Sequence, residues 1–182
     1  IDIRPEVMVE LMLDVFRSLS RAGLRDVYCV TGHFDAAHGK AVADAVERAN
    51  AERIIRAHFV VPDPLGQRLG LKPSDAILFA DWPAGPSARF ADLHAGEGET
   101  SALLDVDPRL VRQRLAKTLP PTALTPDAVA RWRRGGEEAR ALTPDGYLGD
   151  PARASQAAGR KQLAATAQAY ADQILRSVGQ KH

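Results

Sequence analysis

The first 80 residues alternate between helical and strand-like patterns of apolar side chains, and few folds accept such an alternation. Helical spacing covers residues 5–22 and 37–50, whereas short apolar runs rich in β-formers cover residues 24–31, 53–61 and 76–80. Strands that alternate with helices in this way form βα units on a parallel sheet, with helices against both faces. The pattern therefore predicts the α/β fold class, a three-layer α/β/α sandwich with a mainly parallel sheet.

The rest of the chain is predicted to be helical between loops. Helices are expected at residues 100–104, 108–119, 127–140 and 154–178, while prolines mark residues 61–75 and 82–90 as loops. The 182 residues are enough for one hydrophobic core, so residues 1–182 are predicted to form a single α/β domain. Because the first residue is Ile1 and not Met, we also expect an N-terminal segment that is missing from this sequence.

Composition narrows the range of partners. The chain is 45% hydrophobic and 26% charged, with a net charge of +1, whereas nucleic-acid and membrane-surface binders normally carry a large basic excess. No apolar run approaches the roughly 20 residues that span a bilayer. The single cysteine, Cys29, lies in a predicted strand as a small core residue and suits a reducing compartment. These observations predict a cytoplasmic protein that binds neither nucleic acid nor membrane.

Two short stretches carry the titratable groups that could do chemistry. His33 and Asp35 follow a predicted strand, at the strand end where α/β folds place their working residues. An imidazole and a carboxylate in one turn can bind a divalent ion, but Asp35 can equally act as the N-cap of the next helix. His94, Glu97 and Glu99 surround two glycines, although carboxylates are also favoured in the first turn of any helix. Both interpretations of each stretch remain open on spacing alone.

Three motifs, in this order along the chain, resemble those of the creatininase (creatinine amidohydrolase) family. Thr31-Gly-His-Phe-Asp35 is similar to the family's Asn-Gly-His motif, and His94-Ala-Gly-Glu-Gly-Glu-Thr-Ser101 is similar to its His-Ala-Gly-x-x-Glu-Thr-Ser motif. Gly149-Asp-Pro151 resembles the closing Gly-Asp-Pro segment before the last helix. The resemblance implies an α/β sandwich that assembles as a homohexamer and hydrolyses small amides or cyclic amides with one or two divalent ions (zinc, manganese or iron) per subunit.

The resemblance also implies roles for single residues. His33 matches a ligand to one metal, and Asp35 matches the position of a ligand to the second. His94 matches the residue that handles protons beside the scissile bond, and Glu99 matches the carboxylate that accompanies it, whereas Glu97 stands at a variable position. The family's other ligands come from an N-terminal Glu-x-His motif and a later Asp, neither of which precedes His33 here.

The sequence thus predicts a metal-dependent hydrolase of non-peptide C–N bonds whose substrate is a small amide. Two alternatives remain. Thr31 and Ala36 stand where the family commonly has Asn, which would fit a non-catalytic member that serves as a binding or scaffold subunit. A peptidase-like relative that trims a small peptide during cofactor maturation is the other. Substrate specificity is expected to come from the loop at residues 82–90.

Overall fold

The computed structural model describes residues 3–83 and 91–179, which divide into two compact units. The first unit comprises residues up to 82 together with those from 168 onward, and the second comprises residues 83–167. The loop to which substrate specificity was assigned lies mostly at residues 84–90, outside the described residues.

The first unit contains a parallel sheet of three strands in the order β1-β2-β3, as the alternating pattern predicts. The strands are β1 (Asp26–Cys29), β2 (Arg56–Pro62) and β3 (Ile77–Ala80). Both strand pairs are parallel. The helices of this unit are α1 (Pro5–Arg21), α2 (Ala36–Ala51) and α3 (Asp63–Leu69), joined by the C-terminal part of α8 (Gln156–Gly179).

Alternate side chains of β2 enter two different cores, which makes the first unit three layers thick. Phe59 and Val61 are fully buried against α1 and α2, in a cluster that includes Leu13. Val60 points to the opposite face of the sheet, where Tyr170 of α8 packs against it. Since successive side chains of a strand face opposite sides, helices cover both faces of this sheet. The predicted α/β/α layering is confirmed in this unit.

Local signals explain where α1 begins and ends. Pro5 occupies its first turn, where a missing backbone N–H costs nothing. Gly23 follows the helix with a φ of +89°, a left-handed conformation that glycine adopts without strain. The chain can therefore turn at once from α1 into β1.

Helix α3 corrects the prediction that residues 61–75 form a loop. Its sequence begins Asp63-Pro64, so the proline that suggested a break stands instead at the start of a helix, where it is favoured. Gly70, with a φ of +71°, ends the helix after two turns. Gly66 packs under the Phe79 ring so closely that an added Cβ would lie 2.5 Å from it.

The second unit is built from short helices: α4 (Glu97–Val106), α5 (Gln113–Ala116), α6 (Pro126–Trp132) and α7 (Gly136–Leu142), followed by the N-terminal part of α8. Two predicted helices prove to be shorter than expected. The region 108–119 forms a 3₁₀ turn (Pro108–Leu110) and one turn of α5, and the region 127–140 is interrupted at Gly135 and Gly136, whose φ values are +76° and +64°. The long last helix is confirmed. No helix among the described residues is long and apolar enough to cross a membrane.

Candidate functional site

The turn that carries His33 and Asp35 connects β1 to α2 at the carboxyl end of the strand, as predicted. Asp35 is the N-cap of α2, and its Oδ1 accepts a hydrogen bond from the His38 amide at 3.0 Å. The N–H groups at the start of α2, that of His38 above all, lower the pKa of the Asp35 carboxyl, and the nearby His33 imidazole lowers it further. The capping interpretation of Asp35 is therefore correct, and the ligand interpretation stays a prediction.

Hydrogen bonds that involve Thr31 stabilise this turn. Its Oγ1 accepts a hydrogen bond from the His33 amide at 3.0 Å and lies 2.9 Å from His38 Nε2. Tyr170 donates its hydroxyl hydrogen to the Thr31 carbonyl at 3.0 Å. The Thr31 side chain, which stands where the family motif has Asn, is thus a structural anchor for the turn.

A second imidazole lies beside the predicted metal turn. The rings of His33 and His38 meet edge to face, with their centroids 5.2 Å apart. Burial lowers the pKa of His38, and the neighbouring His33 lowers it further. From the sequence, His38 is expected at an exposed helix position; it does lie in the first turn of α2, but its side chain is only partly exposed.

The donor set at this turn suits a divalent ion in kind but not in number. An imidazole and a carboxylate are ligands that zinc, manganese and iron accept. A closed site needs about four donors, and His33 with Asp35 supplies two. Within residues 3–83 and 91–179, no group of three or more His, Cys, Asp or Glu side chains is arranged to hold a metal. His33 and Asp35 can therefore serve only as part of a larger ligand set.

The second predicted pair, His94 and Glu99, is brought together in the second unit. Glu99 Oε2 lies 3.6 Å from His94 Nδ1 and accepts a hydrogen bond from the Ala95 amide at 2.6 Å. Both side chains are more than half exposed, at 58% and 56%, so the imidazole is accessible to a ligand. The Trp132 ring lies beside it, with its centroid 6.4 Å from that of His94.

The backbone of the His94 turn is strained, and backbone hydrogen bonds to Leu148 hold it in place. Ala95 has a φ of +46°, which an L-residue other than glycine seldom adopts. His94 pairs with Leu148 in an antiparallel bridge, in which the His94 carbonyl accepts from the Leu148 amide at 2.7 Å. The Leu148 carbonyl accepts from the amides of both Leu93 and His94. Strain that surrounding contacts sustain in this way is typical of functional turns.

Glu97 serves a different purpose from Glu99. Its carboxylate pairs with Arg153 at 3.0 Å, and the Glu97 side chain is largely buried. Glu97 is thereby engaged in a structural ion pair, which agrees with its place at a variable position of the motif.

Sequence reasoning also missed Asp92, two residues before His94. Its Oδ2 accepts a hydrogen bond from the Gly98 amide at 2.8 Å, whereas its Oδ1 is buried and finds no hydrogen-bond partner among the described residues. Burial raises the pKa of the Asp92 carboxyl. The signal that could have revealed it is the pair of glycines in the motif, at positions 96 and 98, which leave room for a side chain beneath the backbone.

Comparisons with known proteins identify the family. A family model described as creatininase, creatinine amidohydrolase, matches residues 1–174. A solved structure of a mutant creatininase aligns with a TM-score of 0.60 and 23% identity, over 96% of this chain and 64% of that chain. A curated relative, the mycofactocin precursor peptide peptidase of Mycobacterium ulcerans (strain Agy99), is 40% identical over 88 residues, which cover 47% of this chain and 32% of that protein. The chain thus spans about a third of this peptidase and under two-thirds of the creatininase.

These matches agree with the sheet order and with the three motifs. The structural likeness shows that the fold is α/β and creatininase-like. The family is one of amide hydrolases that generally depend on divalent metal ions. Since its model covers all but the last eight of 182 residues, the chain belongs to the creatininase family.

Proposed function

We propose that this chain is part of a metal-dependent amidohydrolase that cleaves the C–N bond of a small amide or cyclic amide. The observation that carries the proposal is the pairing of His94 with Glu99 in a strained, exposed turn, within a chain of an amidohydrolase family. An exposed imidazole can accept a proton and donate one, which is the task of a general base and a general acid. That is the capacity that cleavage of an amide requires.

His33 and Asp35 would contribute two ligands to the metal centre, and residues outside this sequence would complete it. A divalent ion in such a centre lowers the pKa of coordinated water from about 15.7 to about 7 and polarises a carbonyl group. The cap on α2 fixes the Asp35 carboxylate through Oδ1. Thr31 fixes the His33 backbone. Both ligands would then be held in position before an ion binds.

His94 would donate a proton to the departing nitrogen, a contribution typically of about 10²- to 10⁴-fold in rate. The Glu99 carboxylate, held by the Ala95 amide, lies 3.6 Å from Nδ1 and would orient the ring so that Nε2 faces the substrate. The leaving amine departs neutral, and the imidazole regains its proton from the new carboxylic acid or from water.

A second candidate function is the hydrolysis of a peptide bond in a short peptide. The observation that favours it is the 40% identity, over 88 residues, with a peptidase that acts on a precursor peptide. The chemistry at His94 would be the same, because a peptide bond is also an amide. The two candidates differ in the size of the substrate, so purified protein should be offered both small cyclic amides and short peptides.

The test is the metal content and turnover of the protein produced from its whole gene. We expect one or two divalent ions per subunit in the wild type, loss of metal in His33→Ala, and retention of metal with loss of turnover in His94→Gln. Asp44→Ala, which removes an exposed carboxylate from the middle of α2, is the matched control and should behave as wild type.

Two results would overturn the proposal in different ways. Loss of metal in His94→Gln would make His94 a ligand and remove its role as a proton donor. A wild-type protein that binds no divalent ion, even after reconstitution, would favour the non-catalytic binding subunit. Sedimentation velocity on the same samples tests the homohexamer that we also propose, and cell fractionation tests the proposed cytoplasmic location.

A further inference from the structure

The carboxylate of Asp92 lies in a narrow space, here called the cradle, that exists because residues 96 and 149 are both glycine. An added Cβ at Gly96 or at Gly149 would overlap Asp92 Oδ1. The two glycines also approach each other, since a Cβ on Gly96 would lie 2.8 Å from the Cα of Gly149. Any larger residue at either position would therefore force the carboxylate out, even though the two glycines are 53 positions apart in the sequence.

Asp92 also caps the helix that begins in this motif. The N-cap residue of α4 is Gly96, which has no side chain and makes no capping hydrogen bond. Asp92 takes that role from four residues upstream, because its Oδ2 accepts from the Gly98 amide at 2.8 Å. The amides of a helix N-terminus need such acceptors, and a carboxylate there is favoured by the helix dipole.

The hydrogen bond from the Gly98 amide to Asp92 closes a loop of backbone that contains the His94 turn. His94 and Ala95 lie between Asp92 and Gly98, and Ala95 has the strained φ of +46°. Several contacts hold the turn: the bridge to Leu148, the Glu99 carboxylate on the Ala95 amide, the Thr100 hydroxyl on the Ala95 carbonyl, and the Asp92 carboxylate on the Gly98 amide. Among these, the Asp92 contact links the residue two positions before His94 to the first turn of α4.

We propose that Asp92 is the positioning residue that sets His94 against Glu99, acting through the backbone of the turn and without touching the substrate. The inference rests on the proposed role of His94 in amide hydrolysis, but the placement of the turn can be tested without a substrate. Removal of Asp92 would free the first amides of α4 and let Ala95 relax from its strained conformation. His94 and Glu99 would then separate.

The Ala95 amide proton is the readout, because its 2.6 Å hydrogen bond to a carboxylate should shift its NMR signal far downfield. We expect the shift to be lost in Asp92→Ala and in Glu99→Ala, which removes the acceptor of the Ala95 amide. It should remain in Glu97→Ala, a matched control that removes a carboxylate from the same turn. A shift that persists in Asp92→Ala would overturn the proposal.

A double-mutant cycle tests the cradle itself. Gly96→Ala should remove the Ala95 shift as Asp92→Ala does, and in urea denaturation the double variant should be destabilised by less than the sum of the two single variants, because both act on one carboxylate. Additive losses of stability would show that Gly96 acts independently of Asp92 and would contradict the cradle. Should Asp92→Ala fail to fold, Asp92→Asn keeps an acceptor for the Gly98 amide and is expected to retain the shift. Loss of the shift in a folded Asp92→Asn would contradict positioning through that acceptor.

Turnover then separates this inference from the proposed function. With metal content unchanged, Asp92→Ala should lower kcat by about 10²-fold, the cost of a displacement of roughly 1 Å in a catalytic group, with little change in KM. If the Ala95 shift is lost and kcat is unchanged, Asp92 positions the turn but His94 has no part in catalysis. If kcat falls while the shift remains, the positioning role is wrong and the proposed function stands.

Discussion

Asp35 has been assigned two roles that a pair of substitutions can separate. As the N-cap of α2 it accepts a hydrogen bond from the His38 amide through Oδ1. As a proposed metal ligand it needs a negative carboxylate. Asp35→Asn keeps an oxygen acceptor for the cap and removes the charge, whereas Asp35→Ala removes both. The two variants should therefore differ in stability and agree in metal binding.

The expected size of the difference follows from capping energetics. Asn and Asp are about equally good at an N-cap, and replacement by Ala costs about 1 kcal/mol of unfolding free energy. For a chain of this length, that loss lowers Tm by about 2–4 °C. In the absence of metal, Asp35→Ala should thus melt a few degrees below the wild type at neutral pH, and Asp35→Asn should melt close to it.

The pH dependence of Tm provides a second, independent test of the capping role of Asp35. The backbone amides of α2 and the His33 imidazole lower the pKa of folded Asp35 below its unfolded value. Its charge therefore contributes stability above the unfolded carboxyl pKa of about 3.9. That contribution is lost as the pH falls through the lower, folded pKa. Asp35→Asn cannot titrate, so the wild type should lose Tm relative to Asp35→Asn on acidification below about pH 4.

Thermal unfolding with a chelator present, followed by calorimetric titration with Zn²⁺ or Mn²⁺, measures both roles. Asp44→Ala again serves as the control, because it removes an exposed carboxylate from the same helix. Equal destabilisation by Asn and Ala would refute the capping argument. Wild-type metal affinity in Asp35→Asn would refute the ligand role and leave Asp35 as a helix cap alone.

Two further predictions concern packing and reactivity. Gly159→Ala would drive a Cβ into the Ser101 carbonyl oxygen, so we expect urea denaturation to show a loss of about 1–3 kcal/mol in the free energy of unfolding. Gly32→Ala should cost much less, because a Cβ there meets no atom of the described residues within 4 Å. Equal losses in the two variants would contradict the contact. Burial raises the pKa of the Cys29 thiol to about 11, so a thiol reagent at pH 8 should label native protein far more slowly than urea-unfolded protein, and equal rates would show that the thiol is exposed.

The strands and the long helices could be predicted because a single period of apolar side chains decides each of them. β2 reads as a run of buried residues, and the structure uses its two faces against different helices. The placement of His33 and Asp35 followed from the same logic, since the carboxyl end of a strand and the start of a helix share one turn. Local patterns were sufficient wherever one element determines the position of a residue.

The features that could not be predicted depend on contacts between residues far apart in sequence, or on prolines and glycines that are compatible with more than one local structure. Pro64 suggested a loop because proline breaks a helix in its interior, yet it stands at the start of α3. Gly135 and Gly136 each adopt a positive φ and divide one predicted helix into two. The glycines at positions 96 and 98 allow for a side chain beneath the backbone, but they do not reveal the role of Asp92, because the group that encloses it from the other side, Gly149, is far away in sequence.

The cradle around Asp92 changes how the family motifs of this chain should be understood. Gly96 belongs to the His-Ala-Gly motif and Gly149 to the Gly-Asp-Pro segment, which in the sequence are separate features. In the structure both are glycine for the same reason, since a Cβ on either would displace one carboxylate. Thr122 reinforces the arrangement, because its hydroxyl accepts a hydrogen bond from the Gly149 amide at 3.1 Å. A substitution in the second motif should therefore disturb His94 in the first, although no residue of Gly149-Asp-Pro151 needs to meet the substrate.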